Sequence, residues 1–150
     1  MDQIDRRLLN LLQANCKRTT KAYASELGLS TTAVFERIRK LERENIIVRY
    51  VALVDREAVK KSFTVFCHVK LVQHTKGNIL RFEQQIQKLQ EVQECHHVSG
   101  DYDYILRVNV ADMTAYRAFM VNKLTAIDQI GSTQSSFEIN EIKKTTAIAL

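Results

Sequence analysis

The sequence predicts an α+β chain in two parts, a set of three short helices followed by a β-α-β-β-α-β run. Two observations predict it. Apolar residues recur at helical spacing as far as Leu41, whereas from Phe63 onward segments rich in Val, Ile, Tyr and Phe alternate with two amphipathic stretches. The charge divides near the same place. Residues 1–62 hold 13 Lys+Arg against 8 Asp+Glu and residues 63–150 hold 9 of each, so the whole net charge of +5 lies in the first part. A basic part joined to a neutral one suggests that one meets a polyanion and the other something else.

The first helix is expected over residues 2–14, where Ile4, Leu8, Leu11 and Leu12 share a face, Asp2 caps and Asp5 sits near the positive end of the dipole. Thr20 caps a second, short helix with Tyr23, Ala24 and Leu27 buried, and it stops at Gly28, the residue type best suited to a left-handed C-cap. Ser30 caps a third helix with Val34, Ile38 and Leu41 inward. Two helices that cross closely need a small residue at the contact, a glycine in the turn and an apolar residue in the second helix. Ala24, Gly28 and Val34 fit this helix-turn-helix spacing, which purely structural hairpins also produce.

At about 100° per residue, Thr32, Glu36, Arg39 and Arg43 lie opposite the buried stripe of the third helix, with Lys40 beside them. Ser30, Thr31 and Thr32 stand at its N-terminus, where hydroxyls and free backbone N–H groups suit phosphates or base edges. Arg39 and Lys40 have the reach for phosphates or guanine edges. Arg37 sits at the edge of the stripe, either structural or on a backbone phosphate, and Glu36 either accepts from a cytosine amino group or pairs with Lys40. Double-stranded DNA is the expected partner of this face.

Residues 46–54 read as a strand, and the polar residues 55–62 join the two parts. A longer strand is expected over 63–72, with Phe63, Val65, Cys67, Val69 and Leu71 on one face and Phe66 and Val72 on the other. Gly77 and Asn78 open a helix with Ile79, Phe82, Ile86 and Leu89 inward. Strands over 92–98 and 104–110 flank the turn Gly100-Asp101-Tyr102-Asp103. A second helix, capped by Asp112 or Thr114, buries Tyr116, Phe119, Met120 and Leu124. A fourth strand is expected over 132–139 and an edge strand over 142–150. This order is the ferredoxin-like arrangement, an antiparallel sheet with both helices on one face. The other face is left open, so a homodimer through it is expected. The expected division is 1–50 for a helix-turn-helix, winged-helix-like domain, 51–62 for a linker strand and 63–150 for the ferredoxin-like domain.

Several motifs, taken in order and spacing, resemble the Lrp/AsnC (leucine-responsive, feast/famine) family of transcription regulators over nearly the whole chain. They are Ile4-Asp5-Arg6-Arg7-Leu8-Leu9, Gly28-Leu29-Ser30, Glu36-Arg37-Ile38-Arg39-Lys40-Leu41-Glu42, Gly100-Asp101-Tyr102-Asp103-Tyr104 and Glu141-Ile142-Lys143-Lys144-Thr145-Thr146. The resemblance implies a DNA-reading N-terminal domain, a C-terminal domain that dimerises and senses an amino acid, and dimers assembled into octamers. It also implies an effector cleft between dimers near the loop 100–104 and the segment 132–135. Two departures stand out: Thr31 replaces the proline usual after the turn serine, and Val59-Lys60-Lys61-Ser62 lacks the glycine common before the sensing domain.

A free amino acid presents an ammonium and a carboxylate, so its pocket needs an acidic acceptor and a cluster of donors. In the loop Gly100-Asp101-Tyr102-Asp103 the two aspartates can supply the first, with Asp103 favoured. Backbone N–H groups around Gly100, the hydroxyls of Ser132, Thr133 and Ser135 and the amide of Gln134 can supply the second. A tight turn capped by its own aspartates is the structural alternative.

Cys16, Cys67 and Cys95 are an odd set without CxxC spacing, which disfavours a disulfide framework and a cysteine zinc site. Adjacent His96 and His97 on a strand point apart and do not grip one metal ion. No phosphate loop, nucleophile elbow or HExxH pair is present, so neither enzyme activity nor a cofactor is expected. No apolar run is long enough to cross a membrane and none reads as a signal segment, so a cytoplasmic protein is expected. The sequence thus points to a DNA-binding regulator tuned by a small effector, an amino acid by the resemblance. The alternative is a metabolite-binding module acting through protein partners instead of DNA.

Overall fold

The structure is a computed structural model that describes all 150 residues. The chain forms two compact units, Met1–Leu53 with Ile142–Leu150, and Val54–Glu141.

The first unit holds α1 (Gln3–Ala14), α2 (Thr20–Leu27) and α3 (Thr31–Arg43). Asp2 and Asp5 close a reciprocal capping box on α1: the Asp5 N–H donates to Asp2 Oδ1 at 2.7 Å and the Asp2 N–H to Asp5 Oδ2 at 3.1 Å. The cap of α2 is Thr19, one residue before the expected Thr20, and α2 ends on Gly28 at φ 68°. Leu8, Leu9, Leu12, Tyr23, Ala24, Leu27, Val34 and Leu41 form the core of this unit. The Ala24, Gly28 and Val34 spacing therefore does what close helix crossing requires.

Residues 46–54 do not form the expected strand. Ile46 and Ile47 instead donate their N–H groups to the carbonyl of Leu41, and the chain offers 46–54 no neighbouring strand with which to build a ladder. The expected edge strand over 142–150 is missing too. That segment belongs to the first unit, not to the second as expected, because the Gln13 side chain clasps its backbone: Nε2 donates to the Ile148 carbonyl at 2.9 Å and Oε1 accepts the Ile148 N–H at 2.7 Å.

The second unit is built on β1 (Phe63–Leu71), α4 (Lys76–Ile86), β2 (Val92–His97), β3 (Tyr104–Val110), α5 (Met113–Phe119), which continues into a π-helical turn at Met120–Leu124, and β4 (Ile130–Phe137). The antiparallel sheet runs β2-β3-β1-β4, the ferredoxin-like order. β4 begins and ends two residues before the expected 132–139, because Ile130 pairs with Leu71 across a bulge. Val65, Cys67, Val69 and Leu71 of β1 and Tyr104, Leu106, Val108 and Val110 of β3 bury one sheet face against Phe82, Ile86, Tyr116, Phe119 and Leu124. The other face carries exposed Phe66 and half-buried His68, Ile105 and Arg107. Just before β1, Lys60 sits at φ 55°, a left-handed conformation that favours glycine. The departure noted in Val59-Lys60-Lys61-Ser62 is therefore accommodated by lysine in glycine's conformation.

Candidate nucleic-acid interface and effector site

The first candidate site is the outer face of α3. Ser30 Oγ caps the helix by accepting the Ala33 N–H at 3.1 Å, which leaves its O–H free to donate outward. Thr31, Thr32, Glu36, Arg39 and Arg43 are exposed and Lys40 is half-buried. Glu36 makes no ion pair with Lys40, and none of Arg39, Lys40 and Arg43 has a carboxylate partner. The cations of this face are thus available to an external anion.

Arg37 differs from its neighbours. Its Nη1 lies 2.7 Å from Asp2 Oδ2 and 2.5 Å from Asp5 Oδ1, with the Asp5 side chain only 1% exposed. Of the two readings open for Arg37, the geometry supports the structural one, a tie between α3 and the start of α1. Burial raises the Asp5 pKa, but the Asp2 N–H and the Arg37 guanidinium outweigh it and hold the carboxyl below the ordinary range. Phe35, which sequence reasoning passed over, is exposed on the same flank, and the Arg39 guanidinium lies 5.3 Å from its ring centroid. The available signal was an aromatic residue one position off the apolar stripe.

The second candidate site is the loop 100–103 with β4. Tyr102 reaches across β1 to β4, donating its O–H to Gln134 Oε1 at 2.6 Å, and its ring meets His68 edge-on at 5.4 Å. Asp103, the favoured acceptor, has both oxygens engaged within the chain. Oδ2 accepts the Leu71 N–H at 2.7 Å and Oδ1 lies 2.7 Å from His74 Nε2. Burial raises the Asp103 pKa, yet the Leu71 N–H and His74 leave it below the usual carboxylate range. Asp101 is exposed, and Gly100 takes φ 132°.

The pleat separates the four β4 residues. Ser132 and Gln134 pair with Lys70 and His68 on the open face, whereas Thr133 and Ser135 pair with Val69 and Cys67 on the helix-covered face. Ser135 Oγ lies 2.6 Å from the Tyr116 hydroxyl there. The structure thus brings Tyr102 and Gln134 together and sets Thr133 and Ser135 on the other side. His68 and His74 were missed because only the tertiary fold sets them beside Tyr102 and Asp103.

His96 faces Glu94 at 3.3 Å, while His97 stacks on Tyr104 with ring centroids 4.6 Å apart. The two histidines therefore serve separate contacts. No helix is long and apolar enough to cross a membrane.

A helix-turn-helix with an unpaired cationic face, carried on the same chain as a ferredoxin-like domain, defines a DNA-binding regulator with an effector domain. Residues 1–42 match the AsnC-type helix-turn-helix domain and residues 64–148 the Lrp/AsnC ligand binding domain. The chain is 35% identical to the leucine-responsive regulatory proteins of Escherichia coli strain K12 and Klebsiella pneumoniae, over its full 150 residues and 92% of each relative. Among solved structures it is similar to a transcriptional regulator of Neisseria meningitidis in complex with L-Met (TM-score 0.95, 30% identity, 99% of this chain and 96% of that one). It is likewise similar to an AsnC family regulator of Agrobacterium tumefaciens (TM-score 0.94, 37% identity, the same coverage). The chain belongs to the Lrp/AsnC family of transcription regulators, a class without enzymatic activity.

Proposed function

We propose that this regulator reads specific DNA sequences through the outer face of α3, acts in the cytoplasm and is tuned by a free amino acid. The observation that carries the DNA assignment is the set of cations on α3 without carboxylate partners, Arg39, Lys40 and Arg43. Thr31, Thr32 and the Ser30 hydroxyl supply short donors at the helix start, and Glu36 remains available to a cytosine amino group. Arg37 acts indirectly, by holding α3 on α1.

The similarity to a regulator solved with L-Met supports an amino-acid effector. Asp103 holds the loop to β1, so the exposed carboxylate of Asp101 is the acceptor for the ammonium. The N–H groups around Gly100 and the polar groups of Tyr102, Ser132 and Gln134 meet the rest of the ligand. Thr133 and Ser135 support it from beneath the sheet. The open sheet face and the unpaired segment 46–54 suit a homodimer, and dimers assembling toward octamers would let the effector set how many reading heads engage DNA together.

The test combines two titrations of the full chain. Binding to a duplex from its own promoter is followed against salt, and melting temperature is followed against each of the twenty amino acids. We expect log affinity to fall steeply with log salt, and at least one amino acid to raise the melting temperature and shift DNA affinity. Asp101→Ala should abolish that response. A flat salt dependence overturns the DNA assignment, and no thermal response to any amino acid overturns the effector assignment.

A further inference from the structure

We propose that Phe35 is a base-reading residue: its ring takes the C5-methyl group of a thymine in the major groove, while Arg39, held against that ring, takes the edge of a nearby guanine. The inference rests on the DNA-reading role of α3 and adds to it the identity of two nearby bases.

Phe35 is 45% exposed although it stands in a well-packed helical unit. The core of that unit takes Val34 and Leu41 from α3, with Ile38 packed against it, and leaves Phe35 out. At about 100° per residue the ring lies between the buried stripe and the outer face, on the side of Arg39 and Thr32. An aromatic ring has no hydrogen bond to offer a base edge, so what it can select is an apolar group. In unmodified DNA the major groove presents one, the thymine methyl.

Arg39 supplies the second half. It follows Phe35 by four residues, its guanidinium lies 5.3 Å from the ring centroid, and no carboxylate competes for it. Stacking on the ring restricts the rotamers of a long side chain, so less freedom is lost when its planar fork meets the N7 and O6 acceptors of guanine. Four residues of helix rise about 6 Å, roughly two base-pair steps. The two side chains therefore suit a thymine and a guanine about two steps apart.

The test uses duplexes selected by the full-length protein from a randomised pool. Each thymine of the selected site is replaced in turn by deoxyuridine, which removes only the methyl group. We expect one thymine per half-site, within two steps of a selected guanine, at which the replacement lowers affinity about fourfold, the worth of one buried methyl. Phe35→Ala should weaken binding to the parent duplex by a similar factor, lose the response at that thymine and keep the salt dependence of the wild type. Phe35→Leu, which retains an apolar side chain, should keep part of the response and guards against a folding defect in the alanine variant.

The proposal is overturned if no thymine responds to loss of its methyl, or if Phe35→Ala retains the full response. It is also overturned if the variant loses affinity equally on all duplexes and sediments as a smaller species, which would assign the ring to a contact between copies. Loss of salt-dependent binding by the wild type would instead sink the DNA-reading role itself.

Discussion

Arg56 and Arg107 of the second unit and the arginines on the outer face of α3 in the first are treated in opposite ways. In the second unit Arg107 lies 3.0 Å from Glu94 and 3.2 Å from Glu141, and Arg56 is shared between Glu138 and Glu141, so both guanidinium groups are neutralised within the fold. On the outer face of α3, Arg39 and Arg43 have no such partner, and only Arg37 is tied down. The net charge of +5 thus understates the contrast between Arg56 and Arg107, which hold the fold, and Arg39 and Arg43, which carry no partner.

The contrast is broken or sharpened first by DNA binding. Replacing Lys40 and Arg43 together by Ala should lower affinity on every duplex by about 10- to 100-fold and flatten the slope of log affinity against log salt by about 2. Arg107→Ala should leave that slope unchanged. Fluorescence anisotropy at several salt concentrations measures both, and equal slopes for the two variants would erase the distinction.

Arg37 tests the same contrast within one helix. Its loss strands the buried Asp5 carboxylate, so Arg37→Ala should destabilise the reading unit by about 1–3 kcal/mol. Arg43→Ala, on the outer face, should stay within about 0.5 kcal/mol of wild type. Urea denaturation ranks the two.

Acid should weaken both units. The Asp5 and Asp103 pKa values lie below the ordinary value in the folded chain, so each carboxylate contributes stability that is fully present above its unfolded pKa of about 3.9 and is lost as pH falls below it. Melting temperature should therefore decline below about pH 4, and the reading unit of Arg37→Ala should decline less, since part of the cause of the Asp5 shift is gone. A small gain is expected at Lys60, whose left-handed φ of 55° is costly for a lysine. Lys60→Gly should raise stability by about 0.5–1 kcal/mol, and a loss of stability would show that the lysine side chain offsets the strain.

Much of the fold was legible because its signals are local. Asp2, Ser30, Asp112 and Gly28 act at helix ends through their own side chains or φ preference, and each stands where expected. The period-two burial of β1 was equally clear, since Val65, Cys67, Val69 and Leu71 alternate along nine residues. The segments 46–54 and 142–150 misled for one reason. Their β-branched residues, Ile and Val in 46–54 and Ile and Thr in 142–150, satisfy a strand's side-chain preference, but a strand also needs a hydrogen-bonding neighbour, and composition does not say whether one exists.

The outer face of α3 was readable by the same logic, since one helix sets the angles among Thr32, Glu36, Arg39 and Arg43. The effector loop was not. Asp101 and Asp103 are the same residue type two positions apart, and only the approach of Leu71 and His74, about thirty residues away in the chain, engages one and leaves the other exposed.

By itself the sequence determined the helices, the caps of α1, α3 and α5, the sheet's inward residues, the family and the charge division, because all of these depend on residue type and short-range periodicity. The tertiary structure alone decided which arginine is structural and which carboxylate is free, and on which face each β4 side chain falls. Those outcomes depend on pairings between distant residues, and the register of a sheet or the crossing of two helices exists only once the chain has closed on itself.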